Sequence, residues 1–333
     1  MTSEDGTLHD KTLDDMTLDD DVRAYLTLQA QVTAGLPPLW ERPLDQVRSE
    51  WARTALRDAQ APTCEVRDLT LSGPAGALHA RLYRPAGASG TLPLVVYLHG
   101  GGFVLGDLDT HDAAVRRGCT GTGVAWLSVA YRLAPEHRYP AAVDDAEAVV
   151  RWAASHAADL NADGERLIVA GDSAGATLAT VVARRLRDAG GPDLAGQLLF
   201  YPATDLRPER ESASMAAYGE GFGLTRASMR WFGEEYLPDE AAAAQPDASP
   251  ALAEDLSGLP PAFVLTAAYD PLVDEGDAYA RRLAEEGVSV EHHRLPGTIH
   301  GIVAHPVLLR SGETAWRLAN DWLRRRMGTE ATV

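Results

Sequence analysis

From residue 92 to the C-terminus, apolar runs of strand length take turns with amphipathic helical stretches, and few folds accommodate that rhythm. The strand candidates are LPLVVYL (92–98), VAWLSVAYR (124–132), RLIVAG (166–171), GQLLFYP (196–202), PAFVLTAA (261–268) and VSVEHHRL (288–295). Helical patterning falls at 112–117, 141–158, 174–188, 274–286 and 312–326. Gly190 and Gly287 stand where a helix C-cap favours glycine. Runs that are apolar on both faces belong in a parallel sheet covered by helices on each side. Upstream, CEVRDLTL (64–71), the turn SGPAG (72–76) and ALHARLYRP (77–85) alternate as a half-buried hairpin does. The expected fold is therefore α/β, a mostly parallel sheet of eight strands flanked by helices.

One stretch breaks the rhythm. Between Tyr201 and Leu259 no strand candidate occurs, but YGEGFGLTRASMRWFGEEYLP (218–238) is helical and dense in aromatics. An insertion of that kind suits a lid over a site. The N-terminal part stands apart as well. A five-residue echo, TLHDK, TLDDM, TLDDD, reads as a polar, loosely helical start and not as a solenoid. Helical patterning then runs from Asp21 to about Asp58 through Val22, Tyr25, Leu26, Val47, Trp51 and Leu56, interrupted by LPPLW (36–40).

Composition narrows the chemistry. A net charge of −18 disfavours nucleic acid and anionic membrane surfaces as partners. Lys11 is the only lysine and sits in an acidic stretch, so Schiff-base, P-loop and Ser–Lys chemistries drop out. Cys64 and Cys119 are too few for a disulfide framework or a four-ligand zinc site, and two buried thiols of a cytoplasmic protein are expected. The opening MTSEDGTLHD lacks the apolar core of a secretory signal. No run approaches the ~18 apolar residues of a membrane span.

Two stretches carry the chemistry. In RLIVAGDSAGATLATVVARRL (166–186) a strand enters G-x-S-x-G at 171–175 and a helix leaves it, the context of a nucleophile elbow. Ser173 sits on the sharp turn, where side chains two residues to either side would strike backbone. In LVVYLHGGGFVLG (94–106) three glycines follow a buried strand. If Ser173 attacks a carbonyl, the oxyanion needs preorganised donors, and Gly101 and Gly102 offer bare backbone N–H groups beside that of Ala174. A dinucleotide loop fails on register, because the last glycine of G-x-G-x-x-G would fall on Leu105. His99 is expected to be a buried hydrogen-bonding residue of the loop.

A serine nucleophile needs a base, and in this architecture the order is Ser, acid, His, the last two on loops after late strands. The strand at 261–268 runs into Asp270, and that at 288–295 into the loop carrying His300. Both lie at carboxyl ends of strands, where α/β sheets place ligands. Asp270 comes first after its strand, while Asp274 has a duller role available as helix N-cap. His9, His79, His111, His137, His156, His292, His293 and His305 have surface or packing roles. No H-E-x-x-H occurs, so no metal and no cofactor are expected.

HGGGF (99–103), YRLAPEHRYPAAVDD (131–145), GDSAG (171–175), DPLVDEG (270–276) and HG (300–301) together resemble the bacterial hormone-sensitive-lipase-like carboxylesterases, which are α/β-hydrolases. The resemblance runs from about residue 20 to the end and implies Ser173 as nucleophile, Asp270 as acid, His300 as base, and Gly101, Gly102 and Ala174 as oxyanion hole. It also implies a catalytic domain over 60–333, capped by a helical segment at 1–59 and an insert at 204–250 whose LTRASMRWF helix lines the acyl pocket. Family members often dimerise through the sheet edge. Two departures stand out: Ala176 replaces the last glycine of GDSAGG, and Ile302 follows His300-Gly301 where the family often has phenylalanine.

The expectation is hydrolysis of short- to medium-chain acyl esters through an acyl-enzyme, with water as second substrate. Phe103, Asp172, Phe222, Met229, Trp231 and Phe232 are the candidate substrate-binding residues. An amidase or formamidase of the same fold is the alternative enzyme. A non-catalytic ligand receptor on this scaffold, such as the gibberellin receptor, loses the histidine that stands here at 300.

Overall fold

The computed structural model describes residues 17–54, 63–305 and 308–329. Lys11, Leu56 and most of the five-residue echo lie outside them. The hairpin forms as β1 (Cys64–Gly73) and β2 (Gly76–Pro85), and the later apolar runs form β3 (Leu92–Leu98), β4 (Ala125–Ala130), β5 (Ala162–Asp172), β6 (Gly196–Phe200), β7 (Ala262–Tyr269) and β8 (Val290–Ile299). They make one eight-stranded sheet in the order β1-β2-β4-β3-β5-β6-β7-β8. The β1–β2 and β2–β4 pairs are antiparallel and every other pair is parallel.

The buried core splits by strand periodicity. Leu94, Val96 and Leu98 of β3 join one cluster, and Val95 and Tyr97 join the other, because successive side chains point to opposite faces. Leu127 and Val129 oppose Trp126 on β4 in the same way, as Leu167 and Val169 oppose Ile168 on β5. The first cluster is closed by α4 (Ala141–Ser155), α5 (Ala174–Asp188) and α9 (Val273–Glu285), through Val149, Leu178 and Leu283. The second is closed by α3 (Asp112–Thr122) and α10 (Gly312–Met327), through Val115, Trp316 and Leu323. Each such side chain contributes roughly 1.5–3 kcal/mol on burial.

Several bounds differ from those read in the sequence. Helix α3 continues to Thr122, five residues past the expected end. Gly118 looks like a breaker, but a β-carbon there would collide with Trp126, so the glycine is required by helix–sheet packing. Strand β8 runs on through Pro296-Gly297-Thr298 to Ile299. Cys119 is buried as expected, but Cys64 is only half-buried, its thiol donating to the Arg116 carbonyl at 3.9 Å.

Two further parts lie outside the sheet and its flanking helices. At the N-terminus α1 (Asp20–Thr33) buries Val22 and Leu26 in the second cluster. Helix α2 (Leu44–Thr54) is tied down by Arg48, which donates to the carbonyls of Val104 (3.0 Å) and Ala134 (2.9 Å) and pairs with Glu136. Between β6 and β7 lie α6 (Ala213–Tyr218), α7 (Arg226–Tyr236) and α8 (Glu240–Ala243), with no strand among the described residues. Helix α7 opens with a capping box of Thr225 and Ser228. The root of this insert is closed by the Leu206 N–H donating to Ser249 Oγ at 2.7 Å. No described helix is long and apolar enough to cross a membrane.

Candidate active site

Strand β5 delivers Ser173 into a conformation that side chains rarely adopt, with φ 53° and ψ −123°. The sequence meets this with small neighbours. A β-carbon on Gly171 would strike the backbone of Gly175, and one on Gly175 would strike the carbonyls of Leu98 and His99. The second contact also means that α5 starts directly against the end of β3, which brings the glycine loop beside the nucleophile turn. Ser173 N–H is secured to the Phe200 carbonyl of β6 at 2.9 Å.

The other two side chains arrive through pairing at the far edge of the sheet. Tyr269 of β7 is in register with Ile299 of β8, so the next residue of each strand, Asp270 and His300, emerges side by side. His300 Nδ1 lies 2.7 Å from Asp270 Oδ2, and His300 Nε2 lies 2.8 Å from Ser173 Oγ. Asp270 is fully buried, and its other oxygen accepts the Leu272 N–H at 2.9 Å. Hydroxyl, imidazole and carboxylate thus form one hydrogen-bonded line, in which the ring can take the hydroxyl proton while the carboxylate fixes its tautomer. Asp274 is not the cap of α9. The N-cap position is Leu272, and Asp274 sits in the first turn, accepting the Ser214 N–H of the insert at 2.8 Å.

Gly101 and Gly102 have φ of 117° and 63°, values open to glycine at little cost. The loop is held from below by Asp172, whose Oδ1 accepts from Tyr97 Oη (2.6 Å) and Gly100 N (2.9 Å), with His111 Nε2 at 3.5 Å. Burial alone raises the Asp172 pKa, but His111 and Tyr97 outweigh it and the carboxyl lies below its usual range. Asp172, a candidate substrate-binding residue, is thus placed beneath the glycine loop. It is 2% exposed, and its Oδ1 is taken up by Tyr97 of β3 and the Gly100 amide. His99 is buried as expected, its Nδ1 2.8 Å from the Gly100 carbonyl oxygen and its ring stacked on Tyr131. Burial pushes its pKa down to about 4, so the ring is neutral.

The aromatic candidates separate. Phe103, with φ 65°, is buried and stacks on Tyr236 of α7 at 3.9 Å, clamping the insert onto the glycine loop. Trp231 is buried against Phe232, and Phe222 stacks on Tyr269. Met229 is half-buried on α7. Phe232 has its ring against Gly102, so close that a β-carbon on that glycine would overlap it. Among the described residues, no group of three or more His, Cys, Asp or Glu side chains is arranged to hold a metal ion.

An eight-stranded sheet with a strained serine between β5 and α5, and an acid and a histidine after its last two strands, defines a serine hydrolase architecture. Residues 95–304 match the family described as alpha/beta hydrolase fold, and the chain belongs to that family, among its hormone-sensitive-lipase-like carboxylesterases. It is 47% identical over 245 residues to the carboxylic ester hydrolase LipN of Mycobacterium tuberculosis, a match covering 72% of this chain and 64% of LipN, just under two thirds. Esterase LipI of the same organism is 43% identical over 265 residues, covering 77% of this chain and 82% of LipI. The ester hydrolase EH1AB1 from the metagenome of Lake Arreo, solved with a derivative of bipyridine phosphonate, superimposes with a TM-score of 0.89 at 43% identity, covering 94% of this chain and all of that one. The chain is a carboxylic ester hydrolase.

Proposed function

We propose that the chain hydrolyses short- to medium-chain acyl esters by acyl transfer through Ser173, with His300 as base and then acid, and Asp270 as its orienting carboxylate. The single observation that carries this is the unbroken line from Ser173 Oγ through His300 to Asp270, at 2.8 and 2.7 Å. Attack of Ser173 Oγ on the ester carbonyl forms a tetrahedral oxyanion while His300 takes the hydroxyl proton. The N–H groups of Gly101, Gly102 and Ala174 are the proposed donors to that oxygen, each worth about a hundred- to a thousandfold in turnover. His300 then returns the proton to the departing alcohol. Water repeats the cycle and releases the acid, with no cofactor.

The proposed chain-length preference is supported by Phe232, whose ring stands against Gly102 and is the candidate wall on the acyl side. The segment before residue 60 and the insert at 204–250 act as a cap, with Phe222, Met229 and Trp231 as further walls. A cytoplasmic enzyme, without nucleic acid or membrane partners and able to form a homodimer through the sheet edge, completes the reading. The test is inactivation by an organophosphonate ester followed by peptide mapping. A single adduct on Ser173, with loss of p-nitrophenyl ester hydrolysis in step with labelling, is the expected outcome. An adduct elsewhere overturns the assignment.

A further inference from the structure

Four residues other than glycine have positive φ among the described residues: Phe103, Asn161, Ser173 and Tyr201. Asn161 caps a turn, where asparagine tolerates this region. Ser173 and Phe103 belong to the elbow and the glycine loop. Tyr201, at φ 36°, is a bulky aromatic for which nothing in the acyl-transfer scheme accounts. A strained backbone persists only where its surroundings over-determine it, and here they do. The Tyr201 N–H donates to the Leu265 carbonyl of β7 at 2.6 Å, while the preceding carbonyl, that of Phe200, accepts from Ser173. Held on both sides, the chain places the Tyr201 ring 4.6 Å from the His300 ring at 56°. Its hydroxyl oxygen accepts the Val303 N–H at 3.3 Å, so it fastens the turn that follows the histidine.

The residues after Tyr201 hold the remaining segments. The Ala203 carbonyl accepts from Thr177 Oγ1 of α5 at 2.6 Å. The Thr204 N–H donates to the half-buried Glu275 carboxylate at 2.8 Å, one turn along from Asp270, and Arg210 pairs with the same carboxylate at 3.0 Å. The stretch 200–205 thereby touches the nucleophile, base and acid segments while contributing none of the three reacting groups.

We infer that Tyr201 is a positioning residue for His300, its ring backing the imidazole and its hydroxyl oxygen pinning the Val303 amide so that Nε2 stays aimed at Ser173. The inference rests on the acyl-transfer reading above. Tyr201→Phe deletes the hydroxyl and keeps the ring, and Tyr201→Leu deletes both. In the full-length protein, kcat for p-nitrophenyl acetate should fall by about tenfold in Tyr201→Phe, the scale of one buried hydrogen bond, and further in Tyr201→Leu. KM should stay within about twofold of the parent value, since the acyl and oxyanion contacts are untouched. The downfield proton resonance of the His300 Nδ1–H to Asp270 bond should shift or broaden in both variants. A parent-like kcat in Tyr201→Phe overturns the inference, as does a loss expressed wholly in KM or a rate loss with the resonance unmoved. The resonance needs no substrate, so it judges Tyr201 even if the parent protein proved inactive on the ester and the reading itself failed.

Discussion

Phe232 packs so closely on Gly102 that its ring occupies the space any side chain at 102 would need. If the proposed acyl site is correct, an acyl chain longer than a few carbons would have to displace or skirt that ring. Replacing Phe232 with alanine should therefore raise kcat/KM for p-nitrophenyl octanoate relative to the acetate by about tenfold or more, on the scale of a few methylenes of pocket. A ratio unchanged from the parent would remove Phe232 from the acyl wall. Asp172 teaches the opposite lesson. Its neighbour Ser173 is legible in the sequence from five residues of motif, but the direction of the Asp172 side chain is set by Tyr97 and Gly100, 75 and 72 residues away. No local pattern announces that bond. Tyr97 alternates with apolar neighbours and reads simply as core.

At the scale of elements, the strands and helices were largely legible because apolar periodicity is a local property. The strand at 92–98 matches its expected bounds and the helix at 174–188 does too. The misses came where tertiary contact overrode local preference: Gly118 inside α3 makes room for Trp126, and β8 runs four residues past Leu295 to Ile299, which pairs with Tyr269 of β7 after an irregularity in the register. Helix α9 is attached to the edge strand by Asp277, which accepts from Thr266 Oγ1 at 2.7 Å, lies 2.9 Å from His292 Nε2 and pairs with Arg294. Burial raises the Asp277 pKa, but these partners more than compensate and hold it down at about 2, below the unfolded value of 3.8. A depressed carboxyl contributes stability above its unfolded pKa and loses it as pH falls through the folded one. Asp277→Asn should then lower the melting temperature by roughly 2 °C or more at pH 7. The gap to the parent should narrow as pH drops from about 4 to 2. A gap independent of pH would mean that the carboxylate charge has no part in the attachment.

Over the whole molecule, the N-terminal helices and the insert meet the rest of the fold through apolar packing and specific polar ties, and Arg48 is a clear case of the latter. Its guanidinium satisfies the carbonyls of Val104 and Ala134, both beside the glycine loop, as well as Glu136. Arg48→Ala should loosen α2 without touching the reacting groups. Limited proteolysis is expected to cut faster within residues 34–54, and KM is expected to rise more than kcat falls. Equal cleavage rates in variant and parent would show that α2 is held by its apolar contacts alone. The class of fold, the order of its strands along the chain and the candidate nucleophile, acid and base all follow from the sequence, because periodicity and short motifs are written in neighbouring residues. The spatial strand order, the register that sets Asp270 beside His300, the ring of Phe232 over Gly102 and the turning of Asp172 under the loop were decided only in three dimensions. Each depends on contacts between residues tens to more than a hundred positions apart, whose free energy exists only once the chain has closed around them.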